Sequence, residues 1–262
     1  MNVTSTETPP VGEKPPEEMG NMTLLDHVKE IRDRLFRCAI ALVIGSAVGW
    51  SVSERALQIL IQPYGKPLIF TTPFEGLSSA FTVALTISAT LALPYILYQI
   101  LGFIMPGLYD HEKRWIYLGL PFGLFLFAIG VVFAWYILLP SALGFLVNIF
   151  PSVFNSQLKA DEYIPFVTGL LFWMGVAFEM PLIMFILAKA NVVNGRFLVT
   201  RWRYAVVIIA ILAAIITPTP DPINMSLVMI PLLILYGVSI LLAFLARRGQ
   251  TIPAILDPDG DE

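Results

Sequence analysis

Six apolar runs, each near the length that crosses a bilayer, constrain this chain more than any other feature. A hydrocarbon core of ~30 Å needs about 20 helical residues. Runs of that order lie at about 35–53, 77–103, 115–139, 163–188, 203–217 and 224–245. Hydrophobic residues make up 57% of the chain and charged residues only 13%, a balance that a soluble domain with a polar surface does not sustain. Backbone polar groups in lipid must pair within their own segment or in a closed barrel. No alternating barrel pattern is present, so each run is expected to be a helix. The expected fold is an all-α integral membrane protein of six transmembrane helices.

The predicted organisation has three parts. Residues 1–22, rich in Pro, Thr and Glu, are too polar to offset the entropy of ordering and are expected to be a disordered leader. Residues 23–246 form the membrane domain, and 247–262 an acidic tail. The leader lacks the basic start and prompt apolar run of a secretory signal, so the run after Arg32, Arg34 and Arg37 reads as a permanent first span. With the N-terminus inside, thirteen of the Lys and Arg residues fall on cytoplasmic segments and three (Arg55, Lys66, Lys159) outside. That bias places both termini in the cytoplasm.

Two features predict irregular packing. Fourteen residues separate Arg203 from Pro218, which at about 1.5 Å per residue reach roughly 21 Å. The fifth helix is therefore expected to be short, as is the sixth, with local bilayer thinning as one consequence. Pro94, Pro121, Pro140, Pro181 and Pro231 fall in or at the edges of spans, where each interior proline removes a backbone hydrogen bond and bends its helix. Bent helices of unequal length suggest a curved wall with a concave face.

Polar residues in costly places mark the candidate sites. Glu179, in "GVAFEMP", lies within the fourth span, where a carboxylate costs a few kcal/mol and should face protein or a water-filled cavity. Gln99, in "PYILYQILGF", suits a polar spot or an interhelical hydrogen bond. In "LLDHVKEIRDRL" the apolar residues Leu24, Leu25, Val28, Ile31 and Leu35 recur at helical spacing, predicting an amphipathic helix lying on the membrane before the first span. Its Glu30 can pair with Arg34 at i+4. Glu112, in "MPGLYDHEKRW", suits a helix-start charge. Two carboxylates on one cytoplasmic face can also take two guanidinium groups.

The order "HVKEIRDRL", "PYILYQILGFIMPGLYDHEKR", "GVAFEMP" and "ITPTPDPINM" closely resembles the TatC family, the multi-spanning receptor subunit of the twin-arginine protein translocase. The resemblance runs from about residue 24 to 245, and its second block is the most specific. It implies a receptor for folded precursor proteins whose signal peptides carry two consecutive arginines. By the same resemblance the twin-arginine site comprises Glu30 and Glu112, with Phe103 and Arg32 in the recognition region. Glu179 matches the family's intramembrane acid and Asp221 the acid of its last external hairpin. The implied partners are twin-arginine signal peptides and single-span TatA- and TatB-type subunits in an oligomeric complex in the cell membrane. The implied energy source is the proton-motive force. No cofactor, metal or nucleic acid is implied.

The chain departs from the pattern at Thr82, Leu101 and Gly237, where many members carry Lys, Trp and Glu, and its last hairpin is one residue longer. Those changes bear on partner-helix contacts and leave the receptor positions intact. Bidentate hydrogen bonding to a carboxylate gives a physical reason for preferring arginine over lysine. The rival expectation is a proton-coupled secondary transporter using Glu179, with inverted repeats and a polar midplane cavity. An enzyme is not expected, since the spans hold no zinc-binding His-Glu pattern, Ser-His pair or phosphate loop.

Overall fold

The computed structural model describes residues 24–104, 113–148, 157–190, 192–217 and 222–247. The leader over 1–22, the tail after 247, His111, Glu112 and Asp221 lie outside the described residues. Every regular element among those described is helical: α1 (Leu24–Ile61), α2 (Glu75–Ile104), α3 (Lys113–Phe133), α4 (Leu139–Asn148), α5 (Ala160–Phe178), α6 (Met180–Lys189), α7 (Gly195–Thr200), α8 (Trp202–Ile216) and α9 (Pro222–Arg247). A π-helical turn, Ala134–Leu138, joins α3 to α4. Five stretches are long and apolar enough to cross a membrane: Val28–Ile61, Glu75–Phe103, Gly119–Val147, Ala160–Lys189 and Asn224–Ala246. Large apolar side chains such as Val43 and Ile234 are exposed on them, as on a surface that meets lipid.

The short fifth apolar run is the helix α8, whose 15 residues reach only about 22 Å. Its end has a local cause: Thr217 precedes Pro218 and adopts an extended conformation, which a residue before proline favours. The sixth run, read at 224–245, lies within α9, and only its expected shortness does not hold. With 26 residues, α9 spans about 39 Å and is long enough to cross.

The amphipathic N-terminal segment also differs from its expected form. Rather than a separate helix on the membrane surface, it is continuous with the first span in a single 38-residue helix of about 57 Å. No proline or glycine falls between Leu24 and Gly45 to break it, so a hydrophobic stripe and an apolar run propagate one helix. Its first turns therefore extend beyond the hydrocarbon thickness.

Prolines interrupt two other spans. Pro140 has no N–H for the Tyr136 carbonyl. One residue earlier, the Leu139 N–H reaches back to the Ala134 carbonyl, which closes the π turn. Pro181 likewise cannot donate to Ala177. The chain tightens there, with the Glu179 N–H on the Val176 carbonyl, and helical bonding resumes as the Ile183 N–H donates to the Glu179 carbonyl. Glu179 thus occupies the break between α5 and α6.

The core is built around α5. Tyr163, Ile164, Val167, Leu170, Met174 and Phe178 recur at helical spacing and are buried, packed among α1, α2, α3, α8 and α9. The helices α1 and α2 run antiparallel at close range. Gly45 faces Ser88, whose hydroxyl donates to the Leu42 carbonyl, and Gly49 lies on the Ala84 backbone. Trp50 and Phe81 stack beyond them with ring centroids 4.9 Å apart. Small residues at this four-residue spacing allow two backbones to approach, as in other membrane helix pairs.

At the α1 C-terminal end, loop 62–74 pairs with the segment leading into α5. The Ile69 N–H donates to the Leu158 carbonyl and the Ala160 N–H to the Ile69 carbonyl. Tyr163 donates its hydroxyl to the Leu60 carbonyl at 2.8 Å, one of the last carbonyls of α1 that has no intrahelical donor. The Glu75 carboxylate accepts from the Thr71 and Thr72 N–H groups at 2.9 and 2.8 Å, which fixes the entry into α2.

Candidate functional site

At the opposite end of the α1–α2 pair, a carboxylate, a guanidinium and an amide converge where α2 ends. Glu30 and Arg34, one helical turn apart on α1, form an ion pair at 2.6 Å. The i+4 pairing anticipated from sequence is therefore present. Arg34 Nε and Nη2 both donate to Oε1 of Glu30, at 2.9 and 2.6 Å. No partner of Oε2 is present among the described residues.

The guanidinium also reaches across to α2. Nη2 donates to the Gly102 carbonyl at 3.0 Å. Nη1 donates to the Gln99 carbonyl at 3.3 Å and to the Gln99 side-chain oxygen at 3.2 Å. Sequence explains why Gly102 needs this donor: its partner four residues on is Pro106, which has no N–H. A cation at a helix C-terminus also meets the negative end of the macrodipole. Gln99, 4% exposed, is thereby an interhelical hydrogen-bonding residue, the simpler of the two roles its sequence context suggested.

Phe103 follows Gly102 directly and is half-buried at the same corner. Arg32 stands apart: its guanidinium donates to Asp33 Oδ1 at 2.9 and 2.7 Å, and its side chain is 72% exposed. Of the recognition residues expected from sequence, the structure thus places Glu30 at the corner that carries Phe103 and leaves Arg32 on the outer face of α1, while Gln99, expected only as a polar or interhelical residue, joins Glu30 through Arg34. Sequence reasoning assigned Arg34 only an i+4 pairing. The proline four residues after Gly102 was the available signal for its larger role.

Glu179 is a separate locality. It is 3% exposed, and neither carboxylate oxygen has a hydrogen-bond partner among the described residues. Gly123 of α3 gives it room, since a Cβ there would lie 2.7 Å from Oε2 and 2.8 Å from both Leu97 and Leu182 methyl groups. An apolar pocket of about 350 Å³ opens between α1, α2, α3 and α5, walled by residues such as Leu60, Val83, Phe127 and Leu171. Glu179 is not part of its wall. The convergent polar cavity expected of a proton-coupled transporter therefore does not form around this carboxyl among the described residues.

These features define a class: a polytopic α-helical membrane protein with helices of unequal length and a carboxylate–guanidinium cluster at one end. Comparison with known proteins narrows it. Residues 26–231 match the family model of TatC, described as Sec-independent protein translocase protein. The chain is 38% identical to the Sec-independent protein translocase protein TatC of Deinococcus radiodurans, over 88% of this chain and 89% of that protein. It is also 38% identical to the TatC protein of Aquifex aeolicus, over 87% of this chain and 97% of that protein. A crystal structure of a twin arginine translocase receptor TatC superposes with a TM-score of 0.76 at 38% identity, covering 85% of this chain and all of that one. The chain belongs to the TatC family of Sec-independent protein translocases.

Proposed function

We propose that this chain is the signal-peptide receptor of a twin-arginine translocase, and that Glu30 and Glu112 hold the two arginines. The observation that carries the reading is the Glu30 carboxylate, tied through Arg34 to the end of α2 at the corner of Phe103, with one oxygen that has no partner among the described residues. Glu112 follows nine residues after Phe103 in sequence. Arg32, exposed on the same part of α1, belongs to the approach to the site. A similar solved structure carries the description of a twin arginine translocase receptor, which supports the same role here.

In this reading both termini are cytoplasmic, with the leader over 1–22 and the tail over 247–262 on the side of the basic loops, in the cell membrane. Single-span TatA- and TatB-type subunits assemble with the chain, and transport of the folded cargo draws on the proton-motive force. Asp221 lies on the external hairpin, and Glu179 is a polar spot within the membrane on the concave face. The carboxylates select and apolar surface anchors. Exposed ion pairs contribute only about 0–1 kcal/mol, whereas hydrogen bonds to charged groups in a drier interface contribute about 1.5–3 kcal/mol each.

The test is binding of a labelled twin-arginine signal peptide to the purified protein in detergent, beside its Lys-Lys variant. Glu30→Gln and Glu112→Gln proteins, checked for folding, complete the set. Binding is expected to fall with the Lys-Lys peptide and in both variants. Equal binding throughout would refute the two-carboxylate site.

A further inference from the structure

The Arg34 guanidinium has five N–H donors, and the structure gives it five acceptor contacts: two to Glu30 Oε1, one to the Gly102 carbonyl and two to Gln99. Such a group is fully committed and has no donor left over for a ligand. The carboxylate it holds is not. Both contacts converge on Oε1, and Oε2 has no partner among the described residues, on a side chain that keeps 22% of its surface exposed.

We propose that Arg34 is a positioning residue for the twin-arginine site: it occupies one oxygen of Glu30 and presents the other to the incoming peptide. The inference rests on the reading of Glu30 as part of that site. Each oxygen of the carboxylate then serves one guanidinium, Oε1 the protein's own and Oε2 the cargo's. The geometry of the Arg34 pair, with Nε and Nη2 on a single oxygen, shows that one oxygen suffices to hold a guanidinium by two bonds.

Two constraints make the arrangement specific to arginine at this position. A lysine offers three donors from one point and cannot span Glu30, Gly102 and Gln99 together. Gly102 is the second constraint. A Cβ on it would lie 2.7 Å from Nη1, so a side chain there displaces the end of the guanidinium that meets Gln99. Since Gly102 sits in the last turn of α2 beside Phe103, the clamp also joins the amphipathic part of α1 to the end of α2.

The test compares affinities for a twin-arginine and a Lys-Lys signal peptide in wild type, Arg34→Lys and Gly102→Ala proteins in detergent. Arg34→Lys keeps the charge and removes the fork. Twin-arginine affinity is expected to fall about tenfold, the scale of one charge-assisted hydrogen bond, while Lys-Lys affinity stays, so that discrimination collapses. Gly102→Ala, a substitution that helix propensity favours, should shift discrimination in the same direction. Retained discrimination in both variants overturns the proposal. An equal loss for both peptides marks Arg34 as structural only and overturns it too. A wild-type protein without preference for twin arginine overturns the receptor reading itself, and the proposal with it.

Discussion

Replacing Gly49 by alanine puts one methyl group where two helix backbones meet. The added Cβ would lie 3.0 Å from the Ala84 carbonyl carbon and 3.1 Å from its Cα, and nearer still to the carbonyl oxygen. Carbon atoms rest at about 3.5–4.0 Å, and no side-chain rotation relieves a contact with backbone. The helices α1 and α2 must separate by a large fraction of an ångström. That movement also loosens the Ser88 hydroxyl from the Leu42 carbonyl, a few residues along the same seam. Overpacking of this kind costs about 1–3 kcal/mol. Gly237→Ala is the matched control, since nothing lies within 4 Å of its Cβ, and alanine in a helix gains up to about 1 kcal/mol over glycine. Both glycines lie within helices, so the propensity gain is common to the two variants and cancels, and Gly49→Ala should be the less stable by about 1–3 kcal/mol. Thermal unfolding in a mild detergent, followed by circular dichroism, reads the difference as separated midpoints. A Gly49→Ala protein that melts with or above Gly237→Ala would refute the close-packed seam.

Two further outcomes test other parts of the fold. Tyr163→Phe removes the hydroxyl on the Leu60 carbonyl in a buried setting and should cost about 1–3 kcal/mol, read in the same unfolding assay. Glu179→Met replaces a buried carboxyl without partners among the described residues by an apolar side chain of similar length. It should raise stability by about 1–3 kcal/mol, and a fall in the melting midpoint would mean that the carboxyl is engaged in the isolated protein.

Much of this architecture was legible because bilayer thickness and proline chemistry leave few options. Apolar length located the apolar helices and the spacing of Arg203 and Pro218 the short α8, while Pro181 was read only as a bend and not as a break at Glu179. What sequence did not show is how helices choose neighbours. The Gly45–Gly49 spacing was visible, yet nothing in it named Ala84 and Ser88 as the opposing surface. The continuity of α1 was missed for a related reason. An amphipathic stripe predicts which face is apolar, and it is silent on whether the helix turns at the membrane surface. At the site, Glu30 with Arg34 was readable as a local pair, while the contacts with Gln99 and Gly102 span more than sixty residues of chain. Only packing brings them together.

Charge accounting then favours geometry over attraction as the source of selectivity. Glu30 and Arg34 together are a neutral pair, and Arg32 and Arg37 add positive charge to the exposed surface of the same helix. Asp33 offsets one of them. Such a surface does not draw a dicationic peptide strongly at physiological ionic strength, where exposed charges are screened within about 8 Å. A lysine and an arginine would feel nearly the same field there. What separates them is the fixed direction of an acceptor, because a guanidinium can place two N–H groups on one held oxygen and an ammonium cannot reproduce that fork. A carboxylate free to rotate would lose this distinction. The residue that holds it is Arg34, so under the proposal made above discrimination between arginine and lysine in the cargo depends on an arginine in the receptor.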